Sequence, residues 1–333
     1  MKKIVSILAV AALATSVFAA DVAAQFKVGT NLYANKAVLT SPASSGWDDN
    51  NTFFKLTGNL DAAGAEIHVS DVDATLYGIS LWFSPIENLK VTVGNNTVGT
   101  IEKGTFAWWA QSVKLENVNG IKVNYNIGDL GLEFLSANNA LLDFNNSGYD
   151  VVGDFWLAAT YGLGDAGTIQ AFVSKGATIN AYGVGGWGTE CGLVVGAAYD
   201  HMPWQQTGFY GDVFVNFKND FSFQEVAGQF GGQYAADGLA LRLTNMVAFG
   251  EKYGTPNTFS YGFAAKAEYA LGDYTPYLQL LGNDIMDSKL QAVLGCVTNM
   301  GGCEVEAMVQ CDMNFSDMSA TTVSVPVTFK VAF

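Results

Sequence analysis

Residues 322–333 read TVSVPVTFKVAF. Val323, Val325, Val327, Phe329, Val331 and Phe333 share one phase of a two-residue period. Thr322, Ser324, Pro326, Thr328, Lys330 and Ala332 share the other. Successive side chains of a strand point to opposite faces. The segment therefore reads as a strand with one unbroken apolar face and one mostly polar face.

The same alternation recurs toward the N-terminus. Phe26, Val28 and Leu32 alternate with Lys27, Gly29 and Asn31. Ile67 and Val69 oppose Glu66, His68 and Ser70; Ile121, Val123, Tyr125 and Ile127 oppose Lys122, Asn124 and Asn126. The longest clean run, Phe259 to Leu271, carries Lys266 and Glu268 on its polar phase. Lys90, Glu133, Arg242, Glu304, Glu306 and Lys330 also fall on the polar phase of their strands. A charge facing lipid costs about 2–4 kcal/mol near the bilayer midplane, so a membrane-spanning sheet must keep one phase free of charge. A soluble β-sandwich also separates its phases, because one face is its dry core.

Turn chemistry separates the two. Tight Gly-Asp turns (GDLG at 128–131, GDAG at 164–167, GDYT at 272–275) alternate with longer polar stretches such as Lys36–Asn51 and Asn138–Asp150. Short turns at one rim and long loops at the other are the pattern of a transmembrane barrel. A sandwich has no reason for it. Two stretches resist strand assignment, Asn95–Leu115 and the Gly- and Gln-rich Phe221–Tyr234.

Composition agrees. Charged residues make up 14% of the 333 residues and aromatics 13%, whereas soluble chains carry about a quarter charged residues. Met1-Lys2-Lys3 followed by the apolar run Ile4–Phe18 reads as a secretory signal peptide, with cleavage expected after Ala19. Residues 20–333 then form a single domain. Loss of Lys2 and Lys3 takes the formal charge from −15 to −17. So acidic a chain lacks the basic footprint of a nucleic-acid partner. In a pore, the balance would favour cations.

Candidates for chemistry are few. The histidines are His68, on a polar phase with Ser70, and His201, which reads as part of a turn before Met202-Pro203-Trp204. No third partner for a hydrolytic triad is visible, and no enzyme is expected. The four cysteines, Cys191, Cys296, Cys303 and Cys311, include no C-x-x-C pair, which is poor spacing for zinc or redox work. A disulfide between Cys296 and Cys303 requires the two to sit opposite each other in their hairpin.

Taken with the signal peptide, the terminal strand resembles the closing strand of bacterial outer-membrane β-barrels. In that class Val327, Phe329, Val331 and Phe333 would form the signal read by the insertion machinery. The whole of residues 20–333 resembles a general porin. That resemblance implies an all-β, antiparallel transmembrane barrel of about sixteen strands, with eighteen as the alternative. It implies outer-membrane lipid as surroundings, a homotrimer, no cofactor, and passive diffusion of small hydrophilic solutes. In porins the third outer loop folds inward, which would make Glu102 and Lys103 charges at the constriction. Glu66, His68, Arg242, Lys266, Glu268, Glu304 and Glu306 would face the lumen. The porin Pro-Glu-Phe-Gly-Gly loop signature is absent, and Arg242 is the only arginine, so no arginine cluster can oppose the loop. A surface or adhesive protein without an open pore is the competing expectation.

Overall fold

The computed structural model describes residues 20–34, 37–40, 53–60, 63–70, 75–101, 113–137, 154–179, 192–201, 207–252, 255–282 and 288–332. They form twenty strands in one antiparallel sheet. The first ten are β1 (Ala20–Ala34), β2 (Ala37–Thr40), β3 (Phe53–Leu60), β4 (Ala63–Ser70), β5 (Thr75–Ile86), β6 (Leu89–Gly99), β7 (Val113–Ile127), β8 (Leu130–Ala137), β9 (Asp154–Gly162) and β10 (Thr168–Lys175). Then come β11 (Thr178–Ile179), β12 (Leu193–His201), β13 (Gly208–Phe217), β14 (Phe223–Ala236), β15 (Leu239–Lys252), β16 (Thr255–Tyr269), β17 (Tyr274–Gly282), β18 (Lys289–Met300), β19 (Cys303–Asn314) and β20 (Thr322–Ala332).

The pairings return to their start. Gln25 of β1 pairs with Phe53 on one side and with Ala332 on the other. Asn31 likewise pairs with Thr40 and Pro326. β2 and β3 therefore share one edge of β1, and β20 takes the other. β10 pairs directly with β12, while the two-residue β11 pairs with β7 instead. Following the pairings round gives eighteen positions among the described residues, the alternative named beside sixteen from the sequence.

The lower count of sixteen falls short at the two irregular stretches. β6 and β7 run into the ends of Asn95–Leu115, and β14 covers most of Phe221–Tyr234 as one 14-residue strand. In β14 the outward phase reads Val226, Gly228, Phe230, Gly232, Tyr234, so every second apolar position is a glycine. That doubling of the spacing hid a period of two. Two smaller corrections concern turns. His201 ends strand β12, its ring edge-on to Phe209 at 6.0 Å, and is not in a turn. β2 lies inside the stretch read as the Lys36–Asn51 loop.

The two faces differ as the alternation requires. Leu294, Phe209, Leu81 and Val213 are among many large apolar side chains left exposed on one face. The terminal strand presents Val323 and Phe329 on that face, while Pro326 and Thr328 are buried on the other. Phe333 lies outside the described residues. The rims also differ. Glu87–Asn88, Gly128–Asp129, Gly164–Gly167, Asp237–Gly238, Gly272–Asp273 and Gly301–Gly302 all turn the chain at one rim. Asp237 and Gly238 both have positive φ (50° and 81°), the backbone of a tight hairpin turn whose twist matches its strands. All three Gly-Asp turns named from the sequence fall at this rim.

The cysteine pairing fails on register. Cys303 sits opposite Met300, and Cys296 opposite Ala307. Cys296, Cys303 and Cys311 are free thiols; Cys191 lies outside the described residues.

The faces can be tested directly. Leu294→Lys, on the exposed phase, should destabilise the vesicle-inserted protein by about 2–4 kcal/mol. Gln310→Lys, on the opposite phase of the adjacent strand, should change stability by less than about 1 kcal/mol. Denaturant titration of both variants in the same vesicles measures the difference.

Candidate functional site

The inner face is divided between the rims. Toward the tight-turn rim it carries charge. Arg242 Nε donates to Gln233 Oε1 (3.0 Å), and its Nη2 pairs with Glu268 Oε1 (3.1 Å). Lys266 Nζ pairs with Glu268 Oε2 (2.9 Å) and lies 4.7 Å from the Tyr277 ring centroid. The Tyr277 hydroxyl donates to Glu306 (2.6 Å), which also accepts from Thr328 (3.5 Å). Lys330 pairs with Glu304 at 3.1 Å. One chain of polar contacts thus runs from β14 across to β20. Half-way round the ring, Lys90 sits 4.6 Å from the Trp82 ring centroid, and Asn124 donates to Glu133 at 2.9 Å. Glu66 pairs with Lys55 at 2.8 Å.

Toward the other rim the inner face carries an apolar cluster beside buried polar groups such as Asn216 and Glu225. Leu135, Trp156, Phe172, Val194, Phe214 and Met246 are all buried there. The Trp156 and Phe172 rings stack at 5.1 Å with 10° between their planes. Buried apolar side chains on the inside of a ring must be covered by something inside it.

Part of that cover is the far end of the β6–β7 hairpin. Its Val98, Val113 and Leu115 belong to the same buried cluster as Leu135, Trp156 and Phe214. Gln170 of β10 donates from Nε2 to Gly99 O (3.4 Å), although β10 lies four positions round the wall from β6. The hairpin therefore leaves the wall and crosses beneath β8 and β9. It departs at Gly94 and Gly120, which face each other. A Cβ at Gly94 would stand 2.2 Å from Ile79 O, and one at Gly120 2.3 Å from Ser136 O, so neither position has room for a side chain. Buried Asn96 fastens the bend, donating to Gly94 O (2.8 Å) and Gly120 O (3.2 Å). A register shift follows between Asn96 and Val98. β11 then adds a third strand, pairing Thr178 with Lys114 and Ile179 with Val113.

Beneath this inward sheet lies a cavity of about 740 Å3. The hairpin backbone from Thr97 to Ile101 borders it on one side. Asn124, Glu133, Thr160, Thr168, Gln170 and Asp200 border it from the wall. Their alignment follows from register: Asn126 pairs with Gly131, Gly131 with Thr160, and Thr160 with Gln170. A polar chamber of this size, roofed by an inward hairpin, can hold a hydrated ion or a small solute.

Glu102 and Lys103, named from the sequence as constriction charges, lie outside the described residues. His68 lies in β4, its backbone opposite Lys55 and Gly78. Glu66, Arg242, Lys266, Glu268, Glu304 and Glu306 occupy the contacts given above. Sequence reasoning missed Gln170, Asn96 and the inner cluster of Trp156 and Phe214. The available signal was a large apolar residue, Trp156 or Phe214, on the phase opposite the exposed one.

No sequence-family profile matches the chain, and no curated protein matches it by sequence. By structure it is similar to OccK10 (OpdN) of Pseudomonas aeruginosa, with a TM-score of 0.56 and 8% identity over 94% of this chain and 98% of that one. It is similar to OpdK of the same organism, solved with vanillate, at a TM-score of 0.52 and 7% identity over 94% and 98%. OccAB2 of Acinetobacter baumannii gives 0.50 and 9% over 94% and 97%. The chain has the fold of the bacterial outer-membrane porins. In this porin fold the inward hairpin joins the fifth and sixth wall positions, the place the sequence reading gave to an inward loop.

Removing the hairpin's anchors should loosen it. Val113→Ser and Leu115→Ser each forfeit about 1–3 kcal/mol of apolar burial. Single-channel recordings of the double variant should show larger mean conductance and more open-channel noise than the parent protein. Unchanged traces would mean that this cluster does not hold the hairpin.

Proposed function

We propose that the chain is an outer-membrane channel for passive diffusion of small hydrophilic solutes and ions, with a preference for cations. The observation that carries this reading is the polar chamber beneath the inward hairpin, inside a ring whose outer face is apolar. The porin fold supports the outer membrane as its location. Residues 1–19 would be removed on export, and the Val327–Phe333 segment would be read by the insertion machinery. Lipid would cover the exposed apolar face, and a homotrimer is the expected assembly. Transport of this kind needs no turnover and no cofactor; width and charge select the solute.

One observation favours a second reading. The apolar cluster and the docked hairpin lie inside the ring toward the long-loop rim. A barrel filled there could serve as a structural or adhesive surface protein with little conductance, and its loops would then carry the function.

Planar-bilayer recording of the refolded protein separates the two. Ohmic steps with a cation-favouring reversal potential under a salt gradient support the channel. Folded, inserted protein without conductance supports the second reading. Within the channel reading, Glu306→Lys should move the reversal potential toward anions by several millivolts in a tenfold gradient, because a lining charge sets the local ion ratio. An unmoved potential would remove Glu306 from the permeation path.

A further inference from the structure

We propose that Asn216, Gln224 and Glu225 form a binding site for a small monovalent metal cation, sodium or potassium, in the wall near the long-loop rim. The site needs no open pore, so it stands apart from the channel reading.

A bulge brings the three side chains together. Asn216 of β13 pairs with Glu225 of β14, and the next pair is Phe217 with Phe223, so Gln224 is an extra residue in β14. Such a bulge re-aims a side chain. Strict alternation from Val226 would turn Gln224 outward. It is instead 8% exposed, and its Oε1 accepts from Asn216 Nδ2 at 3.2 Å. The same Nδ2 donates to Glu225 Oε1 at 3.2 Å. On the other flank Glu225 faces Gly250, where an added Cβ would stand 2.6 Å from Glu225 Cβ.

The cluster is short of donors and of positive charge. Asn216 and Glu225 are each 1% exposed. Asn216 Nδ2 spends both its hydrogens on Gln224 and Glu225, while Asn216 Oδ1 and Glu225 Oε2 are buried without a hydrogen-bond partner. Both unmet groups are acceptors, and one belongs to a carboxyl group. Lys218, the base at the adjoining turn, is taken by Glu251 at 2.6 Å, and no lysine or arginine among the described residues pairs with Glu225. An unpartnered buried charge is costly, and each orphaned acceptor adds to that cost.

This arrangement discriminates between occupants. A water bridging the two orphaned oxygens would leave the carboxylate charge uncompensated. A divalent ion would leave a positive charge in buried surroundings, because the site supplies a single carboxylate. Zinc and copper favour nitrogen and sulfur ligands. A hard monovalent cation takes oxygen ligands and balances one carboxylate. Glu225 Oε2, Asn216 Oδ1 and the remaining lone pair of Gln224 Oε1 are the oxygens on offer.

The test uses the full protein in detergent micelles, heated in sodium, potassium or choline chloride at equal ionic strength. Choline is too large for so enclosed a group. Sodium or potassium should raise the denaturation midpoint by about 2–4 °C over choline, and the rise should grow with cation concentration. Glu225→Gln keeps the shape and removes the charge. It should abolish the difference between salts and raise the midpoint in choline. Asn216→Ser and Gln224→Leu should shrink the difference, whereas Gln229→Leu, outside the cluster, should keep it. Equal midpoints of the parent protein in all three salts, or a difference that survives in Glu225→Gln, would overturn the site. A proton shared between Oε2 and Oδ1 is the rival occupant and predicts the equal midpoints. Where Glu225→Gln does not fold, the other two variants decide, and an undiminished difference in both overturns the site as well.

Discussion

In a bilayer core no water is present to satisfy backbone N–H and C=O groups. A sheet can cross only if its two edges find each other. This constraint governs the rest of the structure. It explains why β1 pairs with β20 along Gln25–Asn31 and again at Ala34, and why β3 and β2 together fill the other edge of β1. It also makes the terminal strand decisive, because the ring is incomplete until Thr322–Ala332 is in place. A polar phase turned outward by a one-residue slip would put Lys330 and Thr328 into lipid.

Closing a ring of eighteen positions creates a second problem, the inside. Small barrels fill with side chains; wide ones leave a lumen. Here the two solutions share one wall. Near the tight turns the lumen is lined by charges that pair across strands, as Lys330 does with Glu304. Near the other rim it is lined by Trp156, Phe172 and Phe214, which no lumen water could solvate cheaply. The hairpin ending in Val98 and Val113 resolves the mismatch by carrying apolar side chains inward. Gly94 and Gly120 permit its departure from the wall, and Asn96 satisfies the backbone groups that the departure exposes. The chamber exists because the hairpin stops short of the charged half.

Fold class was legible in the sequence because each strand states the same rule locally. Phe259–Leu271 and the terminal strand needed no context to show two faces. The position of the inward hairpin was legible too, as a lapse of alternation in Asn95–Leu115. Its cause was not. Val98 and Val113 look like ordinary strand residues, and only their burial against Trp156, far away in the chain, reveals a second layer. The same holds for Gln170. A glutamine on a polar phase predicts lumen contact, but nothing local says that its amide will reach Gly99. Strand number was the least legible feature, since Gly228 and Gly232 interrupt a pattern that the reader needs apolar residues to see.

Net charge is a poor guide to selectivity in such an architecture. The chain carries a formal −15, yet much of the inner face is balanced in pairs: Lys55 with Glu66, Arg242 and Lys266 with Glu268, Lys330 with Glu304. A permeating ion passing these pairs meets dipoles more than monopoles, and their fields fall off within a Debye length of about 8 Å. Uncompensated charge matters where, among the described residues, no base stands beside the acid, as at Glu306, which is held by the Tyr277 and Thr328 hydroxyls. In the channel reading, cation preference would be set at such positions and not by net charge.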